Sequence, residues 1–219
     1  FWVAGAPWAA HFFYDYYLYT GDREFLERHA LPFMEKTALF FEDYLYENAE
    51  GIYVFSPTQS PENTPGNTDS QGSFNATMSV AAVKELLRNL IEGSEVLGVN
   101  ENKISKWRAM LKKMPPYMIG PDGALKEWLT PKLEDNHRHR HCSHLYPLFD
   151  GIPDEIAESP ELQAAFKKVI EIKLERHWKK GSGFMSFGLV QLGQSASSLG
   201  EAELAEKCLS YLVNNYWLS

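Results

Sequence analysis

The chain has 219 residues, of which 44% are hydrophobic and 23% charged, with 15 Gly, 12 Pro and 2 Cys. This composition is typical of a globular protein and excludes collagen, low-complexity disorder and a small disulfide scaffold. The net charge is -8, from 21 Lys and Arg against 29 Asp and Glu. Because a phosphate backbone needs a basic surface, this charge argues against a nucleic-acid partner and favours a neutral or cationic small ligand.

Neither cysteine predicts a metal site or a redox compartment, since Cys142 and Cys208 lie far apart and form no CxxC-like motif. No apolar run reaches the roughly 20 residues of a membrane helix, so we expect no membrane partner. The chain begins at Phe1 without Met and without the pattern of a signal peptide. We expect it to be an excised part of a longer protein.

Helical periodicity recurs along most of the chain. Apolar residues at three- and four-residue steps predict helices over residues 6–19, 22–46, 75–97, 103–113, 161–178, 186–199 and 201–216. Between the first two, Gly21 and Asp22 provide a helix stop and an N-cap, which predicts a helical hairpin. The sequence therefore predicts an all-α fold of about seven helices in a single domain over residues 1–219.

Two long polar segments separate the helices. Residues 51–71 are rich in Ser, Thr, Asn and Gln and contain a short apolar stretch, residues 52–55, that we predict to be extended. Residues 115–153 are punctuated by Gly and Pro. Loops longer than ~12–15 residues are usually functional or disordered, and the aromatic and His content of these two argues against disorder. Functional residues are therefore expected in both.

Glu62 is the first candidate for a catalytic residue. It lies in segment 56–63 (SPTQSPEN), where Pro57 and Pro61 stiffen the backbone on either side of short polar residues. A carboxyl group that is rigidly held and partly desolvated suits a general acid, because desolvation favours its protonated form. The alternative is a solvated carboxylate in a turn, and the spacing alone favours that alternative.

Glu127 and Trp128 form the second candidate. An indole packs on the apolar faces of a sugar while an adjacent carboxylate accepts hydrogen bonds from its hydroxyls, so this pair is typical of a carbohydrate site. The alternative is that Trp128 fills the core. The sequence does not decide between the two.

Four of the seven histidines fall within segment 137–144 (HRHRHCSH): His137, His139, His141 and His144. Imidazoles at this density favour a metal site. However, the segment matches neither HExxH nor a CxxC zinc pattern, and the interleaved Arg138 and Arg140 would repel a cation. We therefore expect no metal here, and predict a polar wall that donates hydrogen bonds to ligand hydroxyls.

Trp8 and His11 lie one helical turn apart on one face of the first predicted helix and could line the mouth of a pocket. Core packing is the alternative, and helical spacing of aromatic residues favours it. The chain has no GxSxG elbow, no phosphate-binding glycine loop, no GxGxxG and no EF-hand pattern, so we expect no cofactor.

Five motifs together resemble a known family. They are WVAGAPW (2–8), YTGD (19–22), SPTQSPEN (56–63), LKEW (125–128) and HRHCSHLY (139–146). They occur in this order in the α-L-fucosidase family of glycoside hydrolases, family 95, and the chain resembles the middle of its catalytic domain over nearly its whole length.

The resemblance implies an (α/α)6 toroid, in which six helical hairpins surround a pocket, and an inverting mechanism on a terminal sugar of a glycan. Glu62 matches the general acid, which protonates the glycosidic oxygen while a carboxylate on the opposite face of the sugar activates water. In inverting enzymes the two groups lie roughly 6.5–9.5 Å apart. Arg140 and His141 match the sugar-contacting pair of the family. Further substrate-binding residues are implied in the matching motifs: Trp8, His11, Asn63, Glu127, Trp128 and His144.

The chain also departs from the family pattern. The segment with the catalytic base Asp is expected beyond Ser219, and the Asn pair that orients this base is expected before Phe1. We therefore predict that the chain alone is inactive. Cys142 replaces the Val usual in the His-rich motif, and Gln59 follows Thr58 where the family more often has Ser-Thr.

Several alternatives stay open. Family members also act on α-L-galactosides, and the contacts that discriminate the two sugars lie partly outside the chain. The chain would be a non-catalytic helical module, binding carbohydrate or protein, if the parent lacked the base or its Asn partners. The resemblance suggests an extracellular or periplasmic location, which no signal in these residues tests. Uncovered apolar helix faces of a partial toroid would favour self-association.

Overall fold

The computed structural model describes residues 2–179 and 185–216, and helices dominate them, which confirms the all-α prediction. The α-helices are α1 (Gly5–Thr20), α2 (Arg23–Phe25), α3 (Leu31–Tyr44), α4 (Thr77–Leu97), α5 (Glu101–Lys112), α6 (Asp154–Ala157), α7 (Pro160–His177), α8 (Ser186–Ser198) and α9 (Ala202–Tyr216). A π-helical turn (Leu26–Ala30) and a 3-10 helix (Ser143–Leu148) complete the helical elements. Within these described ranges, none of the helices has the length and apolar character that crossing a bilayer demands.

The predicted junction between the first two helices is confirmed. Gly21 ends α1 with φ 68°, a left-handed conformation that costs a residue without Cβ little, and its N–H donates to the carbonyl of Tyr17. The Asp22 carboxylate then accepts the N–H of Phe25 at 2.9 Å and caps α2.

The predicted helix over residues 22–46 was wrong in two details. The π-helical turn separates α2 from α3, and at its end the N–H of Leu31 donates to the carbonyl of Leu26, five residues earlier. Pro32 follows at the start of α3 and cannot donate an N–H, so the wider turn accommodates it. At the other end, α3 stops at Tyr44 because β1 (Tyr46–Glu47) pairs antiparallel with β2 (Tyr53–Val54). The predicted extended stretch is therefore one strand of a short hairpin.

The chain divides into two compact units. The first comprises Phe1–Thr58 and Ser79–Pro116, and the second comprises Gln59–Met78 and Tyr117–Ser219. Fully buried residues of the first unit include Met34 and Phe41 on α3 and Leu86 on α4. The single-domain prediction stays a prediction.

The second unit is built around α7, which buries Phe166, Val169 and Ile170. Helices α8 and α9 pack against each other, and the 3-10 helix packs against α8. The 3-10 helix interrupts the loop predicted for residues 115–153. Exposed apolar side chains of α9 include Leu209 and Val213, but self-association stays a prediction.

Candidate active site

Glu62 is an exposed residue of the second unit, and residues on both sides of it in the sequence are buried. Ser60 and Asn63 are both fully buried, and the N–H of Asn63 donates to the carbonyl of Ser60 at 2.6 Å. The carbonyl of Pro61 accepts the hydroxyl of Ser143, and the carbonyl of Glu62 accepts Nε2 of Gln71 at 2.8 Å. The backbone of segment 60–63 is thus hydrogen-bonded on both sides of Glu62, which agrees with the rigid support that the sequence predicts.

The Glu62 carboxylate forms an ion pair with Arg140. Nη2 of Arg140 lies 2.6 Å from Oε2 of Glu62. The side chain of Glu62 is 55% exposed and that of Arg140 is 41% exposed. The partial desolvation expected for a general acid is therefore not met at Glu62. The carboxylate is nevertheless not isolated, since one of its oxygens and a ring nitrogen from each of His139 and His141 all lie within 4.8 Å of one another.

Glu127 lies beneath Glu62 and holds its loop. Its Oε1 accepts the hydroxyl of Ser60 and its Oε2 accepts Nδ2 of Asn63, both at 2.7 Å. Burial raises the pKa of Glu127 to about 7, although nearby Lys173 and the two hydrogen bonds favour its ionised form. With 1% of its surface exposed, Glu127 binds protein groups instead of the sugar predicted for it.

Trp128 belongs to the core, the second of the two interpretations that the sequence allows. The side chain is fully buried in a cluster with Ala76 and Leu133, against which Phe74 packs. Its Nε1 donates to the hydroxyl of Ser73 at 3.0 Å, which satisfies the indole N–H. The prediction that Trp128 contacts the sugar was therefore wrong, because no face of the ring is accessible and the side chain packs in the core.

Asn63 and His144 also lie below the surface. The Asn63 amide donates to the carbonyl of Asn136 at 3.0 Å, and Nδ2 of Asn136 donates back to Oδ1 of Asn63 at 3.2 Å. His144 is fully buried, its Nδ1 lies 3.6 Å from Oε2 of Glu127, and burial holds the pKa of its imidazole well below the usual range. Both residues were expected to contact substrate, and the structure places them behind the accessible surface instead.

The His-rich segment contributes His139 and His141 to the surface around Glu62. Their rings meet edge to face with centroids 5.0 Å apart, and the ring of His141 packs in the same way on Phe187. Burial, followed by neighbouring charges, lowers the pKa of His139 to about 4 and also lowers the pKa of His141. Both are therefore neutral hydrogen-bonding groups near pH 7. His137 faces elsewhere, with Nε2 2.9 Å from Oδ2 of Asp122.

Lys173 is a site residue that the sequence analysis missed. It lies on α7, is fully buried, and donates from Nζ to the carbonyls of His139 (2.8 Å) and His141 (3.1 Å). These carbonyls flank Arg140, so Lys173 fixes the backbone that carries the partner of Glu62. A lysine in an amphipathic helix gives no signal of burial in the sequence.

The side chains of Glu62, His139 and His141 are also a donor set of the kind that binds transition metals. A metal would compete with two contacts that are already made. Arg140 occupies Oε2 of Glu62, and Nδ1 of His139 accepts the N–H of His141 at 3.1 Å. The expectation that this segment binds no metal stays a prediction.

Trp8 and His11 belong to the first unit. Trp8 is 40% exposed and packs edge to face on Phe12 of the same helix. The ring of His11 lies between two carboxylates, with Nδ1 2.9 Å from Glu85 and Nε2 3.0 Å from Asp15. Their predicted part in a substrate pocket stays a prediction.

The motifs SPTQSPEN and HRHCSHLY thus meet at the accessible carboxylate of Glu62. Glu127 of the motif LKEW binds two residues of the first of them. Comparison with known proteins gives the same assignment: the model of the glycosyl hydrolase family 95 catalytic domain matches residues 1–217. The chain belongs to glycoside hydrolase family 95. It is also 33% identical, over 187 residues, to "Alpha-L-fucosidase 2" of Arabidopsis thaliana.

The family 95 assignment confirms the resemblance and makes the chain part of a glycoside hydrolase domain. It also agrees with the prediction that these helices are part of an (α/α)6 toroid. The matched residues make up 84% of this chain and 22% of the Arabidopsis relative. The chain therefore spans less than a quarter of that relative's length.

Proposed function

We propose that the protein containing this chain is an inverting exo-glycoside hydrolase that removes terminal α-L-fucosyl residues from glycans, with Glu62 as its general acid. The observation that supports this most directly is the position of Glu62. Its carboxylate is exposed, whereas Ser60 and Asn63 in the same loop are buried and hydrogen-bonded. The carboxylate also lies beside Arg140 and the neutral imidazoles of His139 and His141. The name of the Arabidopsis relative supports the sugar.

Arg140 and His141 are the proposed sugar-binding residues. A guanidinium donates in a fixed fork and an imidazole donates or accepts, which suits a ring with several hydroxyl groups. A sugar that draws Arg140 onto its hydroxyls would release Glu62 from the ion pair and cover it from water. Both changes favour the protonated carboxyl group that must deliver a proton to the glycosidic oxygen.

The water-activating carboxylate completes the proposed mechanism. In an inverting enzyme it lies on the opposite face of the sugar, roughly 6.5–9.5 Å from the acid, which leaves room for the water. We propose that this residue and its Asn partners lie outside the present chain, so that residues 1–219 alone do not turn over substrate. Measurable hydrolysis by the isolated chain, abolished in Glu62→Gln, would overturn that part of the proposal.

The test uses the full-length protein with matched disaccharide substrates that carry a terminal α-L-fucosyl or α-L-galactosyl residue. Glu62→Gln should lower kcat by about 100-fold or more, since general acid catalysis contributes typically 10²–10⁴-fold. Glu134→Gln is the control, because Glu134 is an exposed carboxylate of the same unit. NMR of the first product anomer decides between inversion and retention. Sugar binding without turnover by the wild-type protein would instead support the non-catalytic binding module.

A further inference from the structure

The Glu62 loop and the Arg140 segment are each held by a buried ionisable side chain, Glu127 and Lys173 respectively. The Glu127 carboxylate accepts one hydrogen bond from Ser60 and one from Asn63, on the two sides of Glu62. The Lys173 ammonium donates to the carbonyls of His139 and His141, on the two sides of Arg140. Each residue of the exposed Glu62 and Arg140 ion pair therefore lies between two groups that bind one buried side chain.

Glu127 is itself held firmly. Its N–H donates to Oδ1 of Asp135 at 2.7 Å, and its carbonyl accepts the N–H of Thr77 at 3.0 Å. The other oxygen of Asp135 binds Nζ of Lys126 at 2.9 Å, with both side chains at most 10% exposed. The backbone of Glu127, the residue that binds the Glu62 loop, is thus fixed by hydrogen bonds on both its N–H and its carbonyl.

We propose that Glu127 is a positioning residue for Glu62: its two oxygens bind the side chains of Ser60 and Asn63, on either side of the acid, and so fix where the proton is delivered. This inference rests on the proposed function of Glu62. Misplacement of a reacting group by 1 Å costs about 100-fold in rate. A buried carboxylate costs stability, and its retention beneath Glu62 is explained if it maintains this alignment.

The test exploits the fact that protonation matters only for poor leaving groups. In the full-length protein, Glu127→Gln keeps the size of the side chain but replaces one acceptor oxygen with a donor NH2. We expect kcat to fall about 10- to 100-fold on a disaccharide substrate, with KM changed less than about threefold. On a 2,4-dinitrophenyl glycoside, which leaves without a proton, the fall should nearly vanish. Glu134→Gln serves again as the control.

Two outcomes would overturn the proposal: an unchanged kcat on the disaccharide, or an equal loss on both substrates, which would indicate a purely structural role. Because Glu127→Gln can also fail to fold, Ser60→Ala is the second variant. It removes one of the two contacts to the loop and leaves the Glu127 side chain itself unchanged. The same dependence on leaving group is expected, with a smaller effect. A Ser60→Ala loss that is equal on both substrates also contradicts the proposal.

The double variant separates failure of this inference from failure of the proposed function. If Glu127 acts through Glu62, then Glu127→Gln added to Glu62→Gln lowers the remaining rate by less than about twofold, since residues of one unit are not additive. If Glu62→Gln alone shows no dependence on leaving group, Glu62 is not the acid and the proposed function fails first. A full additional loss in the double variant leaves Glu62 as the acid and refutes only the positioning role.

Discussion

The Nζ atom of Lys173 lies 2.8 Å from the carbonyl oxygen of His139, so a fully buried ammonium group holds the backbone directly before Arg140. The burial of this ammonium is compensated by two carbonyl acceptors and by the nearby carboxylate of Glu127. The geometry of the exposed Glu62 and Arg140 pair therefore depends on residues that are themselves buried.

Lys173→Met is expected to lower the free energy of unfolding by about 2–4 kcal/mol, because two charge-assisted hydrogen bonds are lost and Glu127 loses its nearest favourable charge. Chemical denaturation measures the effect. Lys168→Met is the matched control, since Lys168 is exposed on the same helix and pairs only loosely with Glu171 at 3.8 Å. Equal stability of the two variants would refute the importance of the buried ammonium.

The raised pKa of Glu127 predicts a dependence of stability on pH. In the folded state this carboxyl titrates at about 7 and in the unfolded state near 4.5, so the folded state binds more protons between these values. Its contribution to stability is therefore fully present below about pH 4.5 and is lost as pH rises to about 7, by on the order of 3 kcal/mol. The quantity to measure is the difference in unfolding free energy between wild type and Glu127→Gln at each pH.

The titration of His139 makes stability depend on pH in the opposite direction. For this reason the measurement must be a difference between wild type and Glu127→Gln. Its pKa falls to about 4 on folding, so the unfolded state binds more protons between about 4 and 6.5, and stability rises with pH there. Both proteins contain His139, and its effect cancels in the comparison. A difference that does not change with pH would contradict the burial of an ionisable Glu127.

Arg140→Lys should raise KM on the fucoside by about tenfold, because an ammonium group cannot reproduce the planar fork that binds two acceptors at once. Steady-state kinetics on the full-length protein provide the measurement. The control is Arg138→Lys, since Arg138 is a neighbouring exposed residue. Similar kinetics for both variants would remove Arg140 from the proposed sugar-binding pair.

Trp128→Phe tests the correction from sugar contact to core. The variant leaves the hydroxyl of Ser73 without its indole donor and opens a small cavity, so stability should fall by about 1–3 kcal/mol. KM should stay within about twofold of wild type, because the ring has no accessible face. A large rise in KM with unchanged stability would restore the original prediction.

Local features were predictable from the sequence and long-range ones were not. The stop at Gly21 and the cap at Asp22 involve residues within one turn, and both were correct. Burial of Glu127 and Trp128 depends on segments some 55 to 67 positions away in the sequence, such as those carrying Ser60 and Ser73. The motif LKEW carries no information about those partners, so its two interpretations could not be separated. Lys173 was missed for the same reason.

The reciprocal amide pair of Asn63 and Asn136 has an evolutionary consequence. It joins two loops through fully buried Asn63 and half-buried Asn136. Accessible residues of the site are then free to diverge, so the proposed sugar preference can change while Glu62, the proposed proton donor, keeps the same placement.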